Sequence, residues 1–274
     1  MPIITITREM GSLGKDVARA LGAELKVPVV YHEVIDHLAD RMRVRKSHVI
    51  RLLDGSAGLL ERLTADQTSL SLFTADEIIG LAARGPGAVI RGWGATHLLR
   101  EVPYAVCVRV CAPLETRKRR MMERLNSDDE AQVAEEIGAN DEAHSAIMRR
   151  HFNLQWTDSE HYDLVLNTKR VPVDECVGEV LALVRSPQFI ETELSRQKLG
   201  DLALAASVRA ALRRARETRE AQVAVSSEAG RVTLSGAGNT DEMLAFVEVA
   251  SAVPGVRDVA YSTHPGETLR PRFH

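Results

Sequence analysis

The amino-acid sequence predicts an α/β fold with a mostly parallel sheet covered by helices on both faces. Up to about residue 184, short apolar segments alternate with amphipathic helical segments, an order typical of parallel sheets. A glycine-rich turn, Gly11 to Gly14, lies between the first predicted strand and the first predicted helix. Near residue 200 the order changes to helix, strand, strand, helix, strand, which indicates a second and smaller domain.

The elements of the first domain follow from hydrophobic periodicity and from glycine and proline breaks. The first strand is predicted at 3–7, where β-branched residues alternate. Further strands are predicted at 88–91, 104–110 and 163–167. Helices are predicted at 15–25, 33–43, 47–63, 75–83, 113–125, 128–151 and 173–184.

The second domain shows a hairpin signal, because Val223 and Val225 face Val232 and Leu234 across a turn that contains Gly230. Its predicted helices cover 201–216 and 241–252, and its strands cover 222–226, 231–235 and 256–261. Between 185 and 199 the pattern is irregular. The predicted organisation is therefore a first domain at 1–184, a linker at 185–199, a second domain at 200–264 and a tail at 265–274.

Composition excludes some classes of partner and indicates a cellular compartment. The net charge of -3 provides no overall attraction to nucleic acid, and no nucleic-acid partner is expected. No stretch approaches the roughly 18 apolar residues that span a bilayer, and the N-terminus lacks the features of a secretory signal. The three cysteines, an odd number, do not indicate a disulfide framework. These observations predict a cytoplasmic protein.

The glycine-rich turn has the composition of a phosphate loop. Glycines allow backbone N–H groups to surround an anion, the helix N-terminus adds partial positive charge, and a lysine there reaches the outer phosphates. Lys15 follows Gly14 in this way. The strict pattern is not met, since Glu9 replaces its first glycine and Asp16 replaces its Ser or Thr. A plain turn from strand to helix is the alternative.

The segment Ile4–Gly14 (ITITREMGSLG), with Lys15 and Asp16, resembles the opening of the cytidylate kinase-like family, a branch of the nucleoside monophosphate kinases. Glu9 and Asp16 conform to that family's loop. Four further stretches agree in order and spacing, and the resemblance covers roughly residues 1–184. They are Pro28–Ile35, Ala88–Leu99, Ala112–Arg124 and Trp156–Thr168.

The resemblance implies a three-layer P-loop kinase fold, ATP as donor with Mg²⁺, and a nucleotide acceptor. Lys15, Arg117 and Arg120 are the expected catalytic residues. The donor is expected to bind Gly11, Ser12, Leu13, Gly14, Lys15 and Asp16. The acceptor is expected to bind Arg8, Tyr31, Arg91, Trp93 and Arg124. Asp16 is the expected magnesium ligand, although a first-turn acid also suits the helix dipole. Arg117, Arg120 and Arg124 share one helix face, which resembles a basic lid helix; a solvated basic face is the alternative.

Two departures from the family pattern favour a second interpretation. Trp93 stands where the family usually has an arginine between two glycines, and it would stack on a base or fill the core. Basic residues expected near Glu142 and His144 are missing. Losing phosphate-binding arginines weakens transition-state stabilisation. The alternative to an ATP-dependent phosphotransferase is therefore a catalytically weak nucleotide sensor.

Residues 200–264 resemble the BON domain, a small α+β sandwich associated with phospholipid or protein contacts. The resemblance is carried by Val223–Val225, Gly230–Gly236 and Val253–Val259. It implies a peripheral membrane or protein partner, or a homo-oligomer. Arg209, Arg213 and Arg216 form a basic helix face that would meet an anionic surface or remain solvated.

Overall fold

The structure is a computed structural model that describes residues 1–53, 67–92, 94–220, 222–236 and 239–262. The described chain divides into two compact units. The first unit contains residues up to 53 and residues 85–191, and the second contains residues 67–84 and residues from 192 onward. Trp93 and the tail predicted at 265–274 lie outside the described residues.

The first unit is built on a five-stranded parallel sheet with the strand order β2-β3-β1-β4-β5. Its strands are β1 (Ile3–Arg8), β2 (Val29–Val30), β3 (Ala88–Arg91), β4 (Ala105–Cys111) and β5 (Leu164–Asn167). Four of these were predicted. β2 was not, because two residues are too few to show a period of two.

Helices connect the strands of the first unit. They are α1 (Gly14–Leu25), α2 (His32–Met42), α3 (Lys46–Leu53), α5 (Ala95–Leu99), α6 (Leu114–Leu125), α7 (Glu130–Phe152) and α8 (Val173–Val184). α1 and α8 cover one face of the sheet, where Ile4 and Ile6 of β1 join Val17 and Val180 in one apolar cluster.

The opposite face of β1 is polar and equally buried. Thr5 and Thr7 alternate with the apolar residues of the strand, so their side chains point to the other face. Both hydroxyl groups lie within hydrogen-bond distance of the Thr96 hydroxyl on α5, at 3.0 and 3.1 Å. Helices therefore lie on both faces of the sheet, and the predicted three-layer α/β architecture is confirmed.

The second unit contains a three-stranded sheet. β6 (Ala224–Glu228) pairs antiparallel with β7 (Arg231–Ser235), and β7 pairs parallel with β8 (Asp258–Ser262). Val225 lies opposite Leu234, which confirms the predicted hairpin. α9 (Glu193–Arg214) and α10 (Thr240–Ser251) complete the α+β domain.

α9 is longer than predicted and packs against a helix from the first half of the chain. It begins at Glu193 rather than at residue 201, because Thr192 and Ser195 form a capping box. The helix predicted at 75–83 extends over Gln67–Arg84; this helix, α4, lies along α9. The Ser207 hydroxyl donates to the Asp76 carboxylate at 2.6 Å. The second unit thus includes a helix that precedes β3 in sequence.

The basic face predicted on α9 is largely occupied by contacts within the second unit. Arg209 donates to the Val225 carbonyl oxygen at 2.7 Å, and burial lowers the pKa of its guanidinium to about 10. Arg213 donates to the Ser69 hydroxyl at 2.9 Å. Arg216 is exposed. Two of the three arginines are therefore packed rather than solvated.

No helix in the described part of the chain has the length and apolar composition needed to cross a bilayer. Cys107 and Cys176 are buried free thiols, and Cys111 is half-buried and also free. Burial raises the pKa of Cys107 to about 11, so this thiol stays protonated at neutral pH.

Replacing Ser207 with alanine tests whether α4 and α9 stabilise one another. The buried Asp76 carboxylate would lose a hydrogen bond, so we expect Ser207→Ala to lower the free energy of unfolding by about 1–3 kcal/mol. Urea denaturation of the full chain measures the change. Ser226→Ala, at an exposed position of β6, is the matched control and should unfold like the wild type. Identical midpoints for the two variants would contradict the prediction.

Candidate phosphate-binding site

The predicted phosphate loop lies at the carboxyl end of β1, the central strand of the sheet. β1 ends at Arg8 and α1 begins at Gly14. Ligands of open parallel sheets bind at this edge. Gly11 has a φ of 79°, a left-handed conformation that favours glycine. A Cβ atom on Gly11 would lie 2.8 Å from the Arg117 carbonyl oxygen, so the loop and α6 approach each other too closely for a side chain.

Two carbonyl oxygens of the loop accept hydrogen bonds from its own residues and from the end of β5. The Glu9 carbonyl oxygen accepts from the Ser12 backbone N–H at 3.2 Å and from the Ser12 hydroxyl at 2.7 Å. The Ser12 carbonyl oxygen accepts from the Thr168 hydroxyl at 2.8 Å. The Ser12 side chain, predicted to bind donor phosphate, is fully buried in this arrangement.

The two carbonyl oxygens between them face arginines of α6. The Met10 carbonyl oxygen lies 3.5 Å from an Nη1 donor of Arg117, and the Gly11 carbonyl oxygen lies 3.4 Å from Nη1 of Arg120. These are long hydrogen bonds. Four consecutive carbonyl oxygens of the loop, from Glu9 to Ser12, therefore point toward partners inside the protein.

Apart from the Ser12 N–H, the amide groups of the loop have no acceptor in the described protein. No peptide bond of the described residues is cis, and in a trans peptide a carbonyl group and the N–H group of the next residue point in opposite directions. Five N–H groups donate no hydrogen bond to the described parts of the protein. They belong to Met10, Gly11, Leu13, Gly14 and Lys15. A run of such groups at a helix N-terminus is an anion-binding arrangement.

Lys15 is the second residue of α1. Its side chain is exposed, and its ammonium group contacts no acidic partner in the described chain. Because it directly follows four of the unbonded amides, its charge adds to theirs at the same end of the helix.

Two groups of oxygen and nitrogen atoms could hold a metal ion. The Asp16 carboxylate, in the first turn of α1, accepts a hydrogen bond from Arg19 Nη2 at 2.6 Å. This position fits a hard cation beside donor phosphates and also a favourable interaction with the helix dipole. Asp158, Glu160 and His161 bring three ligand atoms within 4.8 Å of one another, but exposed acidic groups are common without an ion.

The predicted lid arginines differ in their surroundings. Arg117 is 8% exposed, and its guanidinium lies 2.8 Å from the Asp141 carboxylate and 3.6 Å from that of Glu9. Arg120 donates to the Thr168 carbonyl oxygen at 2.8 Å. Both therefore have protein partners beside the carbonyl side of the loop. Arg124 is exposed in the last turn of α6.

Next to the loop, an imidazole is held neutral. His144 of α7 stacks on Trp156 with ring centroids 4.2 Å apart, and Arg109 lies 5.4 Å from the Trp156 ring. Burial, and then the charges of Arg8 and Arg109, lower the pKa of His144 to about 4. The His144 ring therefore adds no positive charge at neutral pH.

The predicted acceptor residues Tyr31 and Arg91 lie together. Tyr31 follows β2 and Arg91 ends β3, and the Arg91 guanidinium carbon lies 4.2 Å from the Tyr31 ring centroid. Arg91 is 8% exposed, and its Nε atom has no hydrogen-bond partner. No carboxylate of the described chain forms an ion pair with it. Burial lowers the pKa of Arg91. Trp93, predicted beside them, lies outside the described residues.

Three residues that contact this site were not predicted from the sequence: Glu9 as a partner of Arg117, Asp141 as its second partner, and Thr168 as a donor to the loop. Glu9 carried a signal, since a carboxylate replaces a glycine of the strict loop pattern. Thr168 and Ser12 are 156 positions apart, and no spacing rule connects them. Only the pairing of β4 with β5 brings Thr168 to the loop.

A model of the cytidylate kinase-like family matches residues 3–170, and a model of the BON domain matches residues 200–263. No match was found among proteins of curated function.

Similar solved structures include an uncharacterized protein from Eubacterium ventriosum, 21% identical with a TM-score of 0.54, over 68% of this chain and 99% of that one. They also include shikimate kinase from Bacteroides thetaiotaomicron, 13% identical with a TM-score of 0.43, over 68% and 99%. YorR from Bacillus subtilis, in complex with phosphorylated GDP, is 13% identical with a TM-score of 0.40, over 69% and 99%.

The family match covers more than half of the chain, and its motif residues form the loop described above. The strand order and the helices on both faces are those of a P-loop kinase fold. The chain therefore belongs to the cytidylate kinase-like family and carries a BON domain in its C-terminal part.

Proposed function

We propose that the first unit is an ATP-dependent phosphotransferase that acts on a nucleoside monophosphate or a related small anionic acceptor. The observation that supports it best is the set of five unbonded amides between Met10 and Lys15. Buried or half-buried N–H groups normally have partners. A polyphosphate would supply acceptors to all of them at once.

On this proposal the loop and Lys15 hold the donor. Phosphoryl transfer needs positioning and neutralisation of charge more than covalent help from the protein. The amides would fix the position of the phosphate groups, while the Lys15 ammonium would neutralise charge on the outer oxygens. Asp16 would hold Mg²⁺ directly or through water, and the ion would supply further neutralisation of the phosphate charge.

The acceptor would bind at Arg91 and Tyr31. A buried guanidinium without an anionic partner is energetically unfavourable, and a phosphate or carboxylate group satisfies two of its donors in a bidentate contact. Arg91 lies at the carboxyl end of β3, next to β1 and the loop. Arg8, whose side chain crosses Gly14, would lie between donor and acceptor phosphates.

A second candidate function is a nucleotide sensor with weak or absent turnover. It is favoured by the contacts of Arg117 and Arg120, whose guanidinium groups bind Asp141 and Thr168. An arginine held in this way contributes less to a transferring phosphoryl group than an unpaired one. Arg124, which is exposed, would then be the remaining arginine of the predicted lid face formed by Arg117, Arg120 and Arg124.

For the second unit we propose an interaction module that contacts a protein or a phospholipid surface, or another copy of the chain. Its BON-domain match supports this role. Packing of Arg209 and Arg213 inside the unit argues against a mechanism based on a broad basic helix face.

Lys15→Ala tests the phosphotransferase. Loss of a charged group that contacts the transferring phosphate should lower kcat/KM by about 100-fold or more. ADP formation from Mg-ATP with a panel of nucleoside monophosphates measures it. Lys198→Ala, at an exposed position of α9, is the control and should retain wild-type rates. ATP binding without turnover in the wild type would support the sensor instead. Turnover that Lys15→Ala leaves unchanged would contradict the assignment of Lys15 to the donor phosphates.

Arg91→Met tests the acceptor site by two measurements, the KM for the acceptor and the free energy of unfolding. If Arg91 binds the acceptor, KM for the acceptor should rise by about 10-fold to 100-fold, while KM for ATP stays unchanged. Because the replaced charge has no anionic partner in the part of the chain that the structure describes, the free energy of unfolding of the free protein should stay the same or rise by about 1 kcal/mol.

Arg109→Met is the contrast for this experiment. Arg109 is also buried, but it pairs with Glu9 at 2.7 Å, so its loss should lower the free energy of unfolding by about 3–5 kcal/mol. A large loss of stability in Arg91→Met, with no change in acceptor KM, would indicate a structural role for Arg91.

A further inference from the structure

Glu9, the first residue after β1, has a carboxylate whose two oxygen atoms both accept hydrogen bonds. The Glu9 side chain is 12% exposed. Its Oε1 atom accepts from Arg109 Nη2 at 2.7 Å, and its Oε2 atom accepts from the Ala112 backbone N–H at 3.1 Å. Oε2 also lies 3.6 Å from Arg117 Nε. One side chain thus links the loop to the end of β4 and to α6.

The Glu9 backbone adds two further links. Its N–H donates to the Val110 carbonyl oxygen at 3.1 Å, which extends the pairing of β1 with β4 by one residue. Its carbonyl oxygen accepts both bonds from Ser12. Glu9 is therefore fixed on each side, and the turn of the loop starts from an immobile residue.

The contact with Arg117 extends this arrangement to the carbonyl oxygens of the loop. Arg117 lies between the carboxylates of Glu9 and Asp141, and it also faces the Met10 carbonyl oxygen. Burial raises the pKa of Asp141, and the hydrogen bond from Arg117 opposes that shift. Glu9, Asp141, Arg109 and Arg117 carry a total charge of zero when all are ionised, as suits groups that are mostly buried.

We propose that Glu9 is a positioning residue for the phosphate loop: its carboxylate orients Arg117 and anchors the loop to β4, so that the loop carbonyl oxygens stay bonded to the protein and the loop amides stay available to a polyphosphate. This inference rests on the proposed function of the loop as an anion site. Glu9 touches no phosphate itself in this arrangement.

A strict phosphate loop has glycine at this position. Glycine would permit the turn through its conformational freedom. Glu9 instead holds the turn by its contacts with Arg109, Arg117 and the Ala112 backbone N–H. The hydrogen bond from Arg109 is charge-assisted and therefore stronger than a neutral one, whereas Arg117 forms an ion pair at 3.6 Å. The loop is therefore organised before a ligand binds, which lowers the entropy cost of binding and favours affinity.

The test measures the binding of Mg-ATP and of inorganic tripolyphosphate to the full chain by calorimetry, well below the thermal midpoint of each variant. Glu9→Gln keeps an oxygen for the Ala112 amide but removes the charge, and we expect both dissociation constants to rise about 10-fold. Glu9→Ala removes every side-chain contact and should raise them by about 100-fold. Glu9→Asp, which keeps the charge, should bind more tightly than Glu9→Gln.

Glu115→Gln is the matched control, because Glu115 is an exposed acid of α6 that pairs with Lys118 at 2.8 Å. It should bind both probes like the wild type. A purely structural role would lower the thermal midpoint of Glu9→Gln and leave both dissociation constants unchanged, which would overturn the proposal. If Glu9→Ala does not fold, Arg109→Gln removes the same ion pair from the other side and should weaken binding about as much as Glu9→Gln.

Binding and turnover separate this proposal from the proposed function. Wild-type protein that binds tripolyphosphate but forms no ADP would contradict phosphotransfer, while the order of affinities among the Glu9 variants would still support or overturn the positioning role. Wild-type protein that binds neither Mg-ATP nor tripolyphosphate would overturn both.

Discussion

The hydrogen bonds of the loop carbonyl oxygens are the constraint on which the candidate site depends. A trans peptide group fixes its carbonyl and the following N–H in opposite directions. Once the protein binds the carbonyl oxygens of residues 9–12, the amides that follow are directed away from those partners, except for the Ser12 N–H, which donates to Glu9. The proposed anion site therefore consists of backbone groups, and the side chains around it mainly determine which way the backbone faces.

This constraint explains why so many charged residues lie beside the loop without forming an unpaired basic cluster. Arg117 and Arg120 bind carbonyl oxygens, and carboxylates of Glu9 and Asp141 balance the charge of the arginines. The Nε atoms of Arg109 and Arg117 are buried without a hydrogen-bond partner in the described chain, so the network is balanced in charge but not fully hydrogen-bonded. Lys15 and Arg91, which form no ion pair in the described chain, lie outside the network. They are the groups to which we assign donor and acceptor contacts.

One helix of the second unit comes from the middle of the sequence that forms the first unit. α4 lies between β2 and β3 in sequence, yet it packs along α9 in the second unit. Short connections join α4 to β3, because α4 ends at Arg84 and β3 begins at Ala88. The sequence that matches the cytidylate kinase-like family therefore contributes a helix to the second unit. The chain passes between the two units more than once.

The sequence by itself determined the class of fold, most of the strands and helices, the hairpin of the second domain and the location of the loop. These features depend on local periodicity and on glycine positions, which a single sequence records. It also indicated Lys15, because a lysine at a helix start after glycines has a local physical meaning.

Tertiary structure decided the partners of those residues. The sequence predicted that Arg117 and Arg120 lie on a lid-helix face and Arg209 on another basic helix face, but each guanidinium binds an oxygen from another element. It gave no reason to connect Thr168 with Ser12 or α4 with α9. Helical spacing shows which residues share a face, whereas the element that covers the face is fixed by long-range packing and by the need to satisfy buried polar groups. No local pattern contains that information.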